Sequence, residues 1–264
     1  MPEVWFIRHG ESIANIGHAT RTPEEAELTP EGRKQAQYVA TYIQYAAKGK
    51  LVKIISSSYE RAKQTAQYTH HRISGTSIDI WPVDEFNYLA LPSNTSTTTQ
   101  DRLPLVKKFW ARNSPFFQYQ GRAESFAQFV KRAQKVIEDL CLCKDDQLIV
   151  VFSHQQFIHA VKWLLERRWE MRDCDPQPRE MSYFRNLLKT HPMPNGAILR
   201  TRLNSSTQLV LSGFEVSHFP SKSSCVAIVP YVKAQPQDVA VAPYMDARVS
   251  EEVTTEPLPL GAGY

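Results

Sequence analysis

Residues 4–10 read VWFIRHG, an apolar run that leads directly into two basic side chains and a glycine. A short, uninterrupted apolar run is typical of a strand that is buried on both faces of a sheet. The residues that follow it, Arg8 and His9, would then lie at the carboxyl end of that strand. The sequence therefore predicts a buried strand with chemically active groups at its end.

Strands and helices alternate along most of the chain that follows. The predicted strands, each a short apolar run, span residues 51–56, 78–83, 147–153, 197–203 and 208–214. The predicted helices, each with an amphipathic period, span residues 30–47, about 60–71, parts of 109–144 outside 113–121, and 154–168. Thr29 is the expected N-cap of the first helix, with Pro30 at its first position. This alternation predicts an α/β layered domain with a largely parallel sheet.

Two segments have no regular period. The segment from Asn87 to Gln100 is rich in Ser, Thr and Asn, which predicts a long loop, either a lid or a solvated connector. From about Lys233 the chain is rich in Gln, Pro, Ala and charged residues. We therefore expect residues 1–232 to form one domain and residues 233–264 to form a poorly ordered, Pro-rich tail.

Composition narrows the class of function. The chain has 264 residues, of which 42% are hydrophobic and 22% charged, as in an ordinary globular protein with one sizeable core. Its formal net charge is +4, and its Lys and Arg residues are scattered along the sequence. Because nucleic-acid binding usually needs clustered basic residues, we expect no nucleic-acid partner and favour a small anionic substrate.

Location and thiol chemistry give weaker signals. Residues 1–10 lack the pattern of a secretory signal, and no apolar run is long enough to span a membrane. We therefore predict a cytoplasmic protein without a membrane partner. The four cysteines form neither a CxxC pair nor a zinc spacing, which predicts reduced, structural thiols; they are Cys141, Cys143, Cys174 and Cys225.

Polar residues at the strand ends indicate where chemistry would occur. In open α/β sheets, ligands bind outside the carboxyl ends of the strands. Those positions hold Arg8, His9, Arg61, Glu85 and His154. Guanidinium groups match phosphate oxygens, a neutral imidazole can attack phosphorus, and a helix that begins after a strand favours an anion. The set predicts a pocket for a tetrahedral dianion.

Four blocks of sequence resemble one known family. Residues 8–15, RHGESIAN, resemble the RHGxSxxN signature of the histidine phosphatase, or phosphoglycerate mutase-like, superfamily. Residues 28–36 (LTPEGRKQA), 56–66 (SSSYERAKQTA) and 152–154 (FSH) are similar to its later blocks and occur in the same order. The resemblance implies a three-layer fold with a mostly parallel central sheet flanked by helices.

The resemblance also implies roles for individual residues. His9 would be the nucleophile that carries the phosphoryl group. Arg8, Arg61 and His154 would bind that group, and Asn15 would add a side-chain donor. Each position also has an ordinary structural interpretation: a satisfied histidine, surface ion pairs for the arginines, a helix cap for His154 and a turn residue for Asn15.

Glu85 would be the general acid for the leaving group and then the base that activates water. Asp84 and Glu11 remain alternatives, because Asp84 is adjacent to Glu85 and Glu11 would also line the pocket. Gln155 departs from the family pattern, which usually has glycine after the second histidine, so its side chain would narrow the pocket or contact the substrate. The resemblance implies no metal and no cofactor.

Three functions follow from these residues. The first is a phosphatase that hydrolyses phosphate monoesters through a phosphohistidine. The second is a phosphoglycerate mutase, which ranks lower because Ile13 and Ala14 precede Asn15 where mutases carry an aromatic residue. The third is a non-catalytic phosphate-binding or interaction module. The sequence leaves open the substrate, whose specificity should lie in residues 86–121 and the C-terminal third, and the choice between a monomer and a homodimer.

Overall fold

The computed structural model describes residues 2–91, 95–144, 146–167, 175–203 and 208–220, with the backbone alone at 208–211. Its strands are β1 (Glu3–Arg8), β2 (Leu51–Ser56), β3 (Ile78–Ile80), β4 (Gln147–Ser153), β5 (Ile198–Leu203) and β6 (Gln208–Glu215). Its helices are α1 (Pro30–Ala47), α2 (Glu60–Arg72), α3 (Thr99–Arg112), α4 (Phe126–Cys141), α5 (Gln155–Glu166) and α6 (Pro178–Thr190). The predicted layered α/β architecture is confirmed.

The strands form one mixed sheet in the order β3-β2-β4-β1-β5-β6. The pairs β1 with β4, β4 with β2, and β2 with β3 are parallel. The pairs β1 with β5 and β5 with β6 are antiparallel. The carboxyl ends of β1, β4 and β2 therefore meet at one edge of the sheet.

The antiparallel direction of β5 has a local cause. The backbone N–H of Gly196, a residue with φ 72°, donates to the carbonyl oxygens of Arg8 and His9 at 3.0 and 3.2 Å. The chain thus turns back at the carboxyl end of β1, so β5 begins where β1 finishes and has to run the opposite way. Asn195 and Gly196 form a turn that lies beside the strand end that carries Arg8 and His9.

Both faces of the sheet are covered, as the uninterrupted apolar run of β1 predicts. Val4 and Phe6 pack into an apolar cluster with residues of α3, α4, α5 and α6. Trp5 and Ile7 point to the opposite face and pack against α1 and α2. All four side chains are almost completely buried. Burial on both sides fixes the register of β1, because a shift by one residue would exchange the two faces.

Several predicted boundaries differ from those observed. The third strand ends at Ile80 rather than residue 83, because Pro82 has no N–H to continue a ladder. The loop predicted from Asn87 to Gln100 ends earlier, since α3 begins at Thr99. That start is set by a capping box in which Thr98 and Asp101 exchange side chain to backbone hydrogen bonds. Helix α6 was not predicted.

Other predictions meet the structure only in part. Thr29 caps α1 as expected, since its hydroxyl oxygen accepts from the N–H of Gly32 at 3.0 Å. Cys141 and Cys143 are in the reduced form. Cys174, Cys225 and the predicted tail at 233–264 lie outside the described residues. Among the residues that are described, no helix is both long enough and apolar enough to cross a bilayer.

Two glycines allow the chain after β1 to rest directly on the first turn of α1. A Cβ added to Gly10 would lie 2.4 Å from the carbonyl oxygen of Gly32. A Cβ added to Gly32 would lie 2.0 Å from the carbonyl oxygen of Glu11. Both contacts are with backbone, which cannot move aside as a flexible side chain would. The close approach fixes the position of the residues that follow His9.

We therefore expect Gly32→Ala to lower the free energy of unfolding by about 1–3 kcal/mol or more, the usual cost of overpacking. Urea denaturation of the variant and the wild type measures this difference. Lys34→Ala, at an exposed position two residues further along α1, is the control and should change the unfolding midpoint little. Equal midpoints for Gly32→Ala and the control would contradict the close packing.

Candidate active site

A cavity of about 290 Å³ opens at the carboxyl edge of the sheet. Six of the residues predicted from the sequence line it: Arg8, His9, Asn15, Arg61, Glu85 and Gln155. The remaining one, His154, is fully buried beside His9, with 5.1 Å between the ring centroids. The fold therefore brings together residues from three strand ends and from the loop after β3.

His9 is held as a neutral imidazole with one defined tautomer. Its Nδ1 lies 2.7 Å from the carbonyl oxygen of Gly10, which can only accept, so Nδ1 carries the proton. Nε2 then holds the free electron pair, and it accepts a hydrogen bond from Nε of Arg61 at 3.0 Å. Burial lowers the pKa of His9 well below its usual value, and Arg61 and Arg8 lower it further. Nε2 can therefore attack an electrophile once Arg61 releases it.

The two arginines present donors to the cavity while the protein holds them in place. Arg61 donates from Nη1 to the carbonyl oxygen of Pro23 at 2.5 Å, and Arg8 donates from Nη1 to the carbonyl oxygen of Met193. The buried Nε of Arg8 has no partner among the described residues. Burial lowers the pKa of Arg8 to about 10, which leaves it charged at neutral pH. Arg8 and Arg61 thus form a cationic site whose remaining N–H groups can bind an anion.

The structure separates the three carboxylates considered from the sequence. Glu85 lines the cavity, and its Oε1 accepts from the backbone N–H of Gln156 at 2.9 Å. Burial raises the pKa of Glu85, an effect that Arg61 and Arg8 offset only in part. Asp84 instead accepts hydrogen bonds from two serines at the start of α2, and Glu11 accepts from Thr29 at 2.7 Å. The position and the raised pKa suit Glu85 for proton donation.

Asn15 is oriented by its own hydrogen bonds. Its Oδ1 accepts from the N–H and the hydroxyl of Ser12, both at 3.0 Å, and from Nδ2 of Asn195 at 3.2 Å. The amide oxygen is thus occupied, which leaves the NH₂ group for a ligand in the cavity. Asn195 also donates to the carbonyl oxygen of His9 at 3.1 Å. It supports the site from the turn before β5.

His154 occupies the N-cap position of α5, but its side chain makes no capping hydrogen bond. Its Nε2 instead lies 2.7 Å from the hydroxyl oxygen of Ser57. Burial, together with Arg61, His9 and Arg8, lowers its pKa well below the usual value. The backbone of His154 therefore occupies the cap position considered from the sequence, whereas its ring is not a cap and lies buried beside His9.

Part of the cavity wall was not predicted from the sequence. Helix α3 contributes Thr99 and Arg102, α5 contributes Gln156, and α6 contributes Leu188. Nη2 of Arg102 donates to the carbonyl oxygen of Thr20 at 3.0 Å, and its Nε donates to Oγ1 of Thr97 at 2.8 Å. The capping box at Thr98 could have located α3. No local signal shows that its face reaches the cavity.

Within the described ranges, no three side chains of His, Cys, Asp or Glu are arranged so that they could hold a metal ion. The acidic and imidazole groups near the cavity make hydrogen bonds to protein groups instead, as described for His9, Glu85 and His154.

Protonation of histidines should make the fold sensitive to acid. Burial is the main cause that lowers the pKa of His9, His154, His159 and His218, the last to about 4. The unfolded chain binds protons at these positions near pH 6.5, whereas the folded chain does not. Stability from these groups is therefore present above about pH 6.5 and falls as the pH drops towards their folded pKa values. Glu85, whose pKa is raised, changes the stability in the opposite direction, but it is one group against four histidines.

We expect the urea midpoint of unfolding to fall between about pH 7 and pH 5, where free carboxylates titrate little. The measurement uses buffers without phosphate, because an anion bound in the cavity would stabilise the folded state. A midpoint that stays constant or rises over this interval would show that these histidines are protonated in the folded chain.

Comparison with known proteins agrees with this fold. The family model described as histidine phosphatase superfamily (branch 1) matches residues 4–178. The adenosylcobalamin/alpha-ribazole phosphatase of Salmonella typhimurium is 24% identical over 159 residues, 58% of this chain and 73% of that protein.

Two solved structures share the fold. Phosphoserine phosphatase from Entamoeba histolytica, in complex with 3-phosphoglyceric acid, has a TM-score of 0.59 and 24% identity, and the match covers 83% of this chain and 99% of that one. A mycobacterial glucosyl-3-phosphoglycerate phosphatase in complex with VO₃ has a TM-score of 0.59 and 18% identity, over 81% and 99% of the two chains. The predicted phosphoglycerate mutase-like fold is confirmed. Because the family model spans most of the chain and begins with the strand that carries Arg8 and His9, the chain belongs to the histidine phosphatase superfamily, branch 1.

Proposed function

We propose that this chain is a metal-independent phosphatase that hydrolyses phosphate monoesters of small molecules through a phosphohistidine on His9. One observation carries the proposal: Nε2 of His9 holds its electron pair at a cavity that two arginines and the carboxyl group of Glu85 also line. A nucleophile, anion-binding groups and an acid are the parts that phosphoryl transfer through a covalent intermediate needs.

The first half of the reaction forms the phosphohistidine. Nε2 of His9 attacks phosphorus, and the Nε–H of Arg61 turns from Nε2 to a phosphoryl oxygen. Arg8 and the amide of Asn15 donate to the remaining oxygens, which stabilises charge in the transition state. As the bond from phosphorus to the ester oxygen breaks, Glu85 gives its proton to the leaving oxygen. The carbonyl oxygen of Gly10 keeps the proton on Nδ1 throughout.

The second half returns the enzyme to its starting form. The Glu85 carboxylate accepts a proton from a water molecule, whose oxygen attacks phosphorus while the bond between nitrogen and phosphorus breaks. Inorganic phosphate leaves, His9 is again neutral, and Glu85 is again protonated. Catalysis thus consists of one covalent nucleophile, one acid and base, and fixed positive charge.

The cavity favours a small substrate with more than one anionic group. Its volume of about 290 Å³ suits a metabolite rather than a folded phosphoprotein. Arg102, held at the wall by Thr20 and Thr97, adds a third guanidinium group to those of Arg8 and Arg61. Phosphoserine and glucosyl-3-phosphoglycerate, named for two of the similar proteins, each carry a carboxylate beside the phosphate. We infer the same class of substrate here.

A panel of phosphate monoesters with chelator present tests the proposal. It compares esters that carry a second anionic group with neutral alcohol phosphates, and measures released phosphate and acid-labile phosphate on the protein. We expect release in chelator, with the doubly anionic esters preferred. Phosphate moved between hydroxyls of phosphoglycerate without release would indicate a mutase, and bound phosphate without turnover would indicate a binding module.

The cytoplasmic location, the absence of a nucleic-acid partner, and the choice between monomer and homodimer stay predictions from the sequence. The proposed reaction depends on none of them, because every group that it uses comes from a single chain.

A further inference from the structure

A chain of hydrogen bonds leads from His154 to a carboxylate that the proposed reaction does not use. Nε2 of His154 lies 2.7 Å from Oγ of Ser57, and Oγ of Ser57 lies 2.5 Å from Oδ1 of Asp84. The backbone N–H of Tyr59 also donates to Oγ of Ser57 at 3.1 Å. Ser57 is completely buried, so water does not compete for its hydroxyl group.

Counting protons fixes the direction of these bonds. A serine hydroxyl has a single proton, and an ionised carboxylate can only accept. Ser57 therefore gives its proton to Asp84 and can only accept from His154. Nε2 of His154 must then carry a proton, and in the neutral ring Nδ1 must hold the free electron pair. Asp84, through Ser57, thus selects the tautomer of His154.

The other nitrogen of His154 has no partner. Nδ1 is buried and makes no hydrogen bond to any described residue. Burial is the main cause that lowers the pKa of the ring. Four neighbouring groups also disfavour its positive form: Arg61 from α2, His9 directly after β1, Arg8 at the end of β1, and Arg132 from α4. In the protein without a ligand the ring is therefore neutral. A dianion bound at His9 would reverse this balance, since it brings negative charge next to the ring.

We propose that Asp84, acting through Ser57, is a positioning residue that fixes His154 in its Nε2–H form. When Nδ1 of His154 gains a proton and donates to a phosphoryl anion held at His9, Asp84 balances the positive charge of the ring. The role of the anion rests on the proposed phosphatase function, whereas the tautomer of His154 does not. The ring centroid of His154, 5.1 Å from that of His9, places it beside the group that would carry the phosphoryl.

Asp84→Ala should remove the acceptor that orients Ser57. Oδ1 of Asp84 accepts from Oγ of Ser57 and also from the N–H and the hydroxyl of Ser58. Without that oxygen, Ser57 can turn its proton to Nε2 of His154, so that the neutral ring carries its proton on Nδ1. We expect Asp84→Ala to lower kcat by about 10- to 100-fold, the usual effect of losing a hydrogen bond to a charged group. Asp84→Asn keeps an oxygen for the same donors and removes only the negative charge, so it separates the tautomer from the charge balance.

The decisive readout is ¹⁵N NMR of the histidines in the full chain, with the His154 signals assigned by their loss in His154→Gln. The free wild type should show a protonated Nε2 and an unprotonated Nδ1, and inorganic phosphate should protonate both. In Asp84→Ala and in Ser57→Ala, Nε2 should no longer be held protonated, whereas Asp84→Asn should keep the tautomer of the wild type. As the pH rises, phosphate binding to Asp84→Asn should weaken at a lower pH than binding to the wild type, because the charged ring has lost its counter-charge.

Ser58→Ala is the matched control. Its hydroxyl also donates to Asp84, at 3.0 Å, but it makes no hydrogen bond with His154, so its NMR pattern and pH profile should equal those of the wild type. The proposal is overturned if the free wild type carries the proton on Nδ1, if Asp84→Ala keeps the NMR pattern of the wild type, or if Asp84→Asn keeps its pH profile, whatever the stability of the variants. Absence of ester hydrolysis and phosphate binding in the wild type would instead count against the proposed function.

Discussion

Replacing His9 with alanine is expected to lower kcat for ester hydrolysis by about 10⁴- to 10⁶-fold, the scale seen when a covalent nucleophile is removed. The expectation rests on geometry. Nε2 of His9 lies at the cavity and holds an electron pair that is free to attack once Arg61 releases it, whereas the ring of His154 is fully buried. Water would have to replace His9 as the attacking group, and Glu85, which protonates the leaving oxygen in the same step, could not act as its base.

The measurement is release of inorganic phosphate from one preferred ester in the presence of chelator, together with acid-labile phosphate on the protein after rapid quenching. His9→Ala should show neither, yet it should still bind inorganic phosphate, because Arg8, Arg61 and Asn15 remain. His71→Ala is the control: His71 lies at the exposed end of α2 and should leave turnover unchanged. Turnover near the wild-type rate in His9→Ala would exclude His9 as the nucleophile.

The strand ends could be predicted because their determinants are local. The apolar run before Arg8 and His9 specifies a buried strand, and so does the run before Ser153 and His154. Parallel neighbours then bring their carboxyl ends to one edge, since β1 and β4 pair in register from Glu3 with Leu148 to Arg8 with Ser153. Residues far apart in sequence thus become neighbours for a reason that can be read in each segment alone.

The walls of the cavity depend on contacts that no single segment contains. Arg102 reaches the cavity because its guanidinium group bonds to Thr20, 82 positions away. Leu188 belongs to α6, whose placement depends on packing against α5 rather than on its own pattern. Substrate specificity is therefore the part of the function that the sequence alone leaves open.

The choice among neighbouring carboxylates is a second case of this kind. Asp84 and Glu85 are adjacent in a loop without a regular period, so the sequence does not show which one faces the cavity. In the structure the loop between β2 and α2 holds Asp84 through Ser57 and Ser58, while the N-terminal turn of α5 orients Glu85 through the N–H of Gln156. Contacts with two segments that are distant in the sequence therefore separate the two residues.

Glu85→Gln is expected to lower kcat for esters of ordinary alcohols by about 10²- to 10⁴-fold, the usual contribution of a general acid and base. Formation of the phosphohistidine should suffer less with p-nitrophenyl phosphate, because that leaving group departs without a proton. The variant should therefore accumulate acid-labile phosphate on His9 when it turns over this ester, since glutamine cannot activate water in the second half.

The pH profile gives an independent test of Glu85. The reaction needs its protonated form, and its pKa is raised by burial, so kcat/KM should hold at pH values below that raised pKa and fall as the pH increases through it. His9, with a lowered pKa, stays unprotonated into the acid range and moves the acid limb to low pH. Glu85→Gln should lose the alkaline fall. Glu11 accepts a hydrogen bond from Thr29, and Glu11→Gln should keep the alkaline fall. If instead Glu11→Gln loses the fall and Glu85→Gln keeps it, Glu11 rather than Glu85 is the acid.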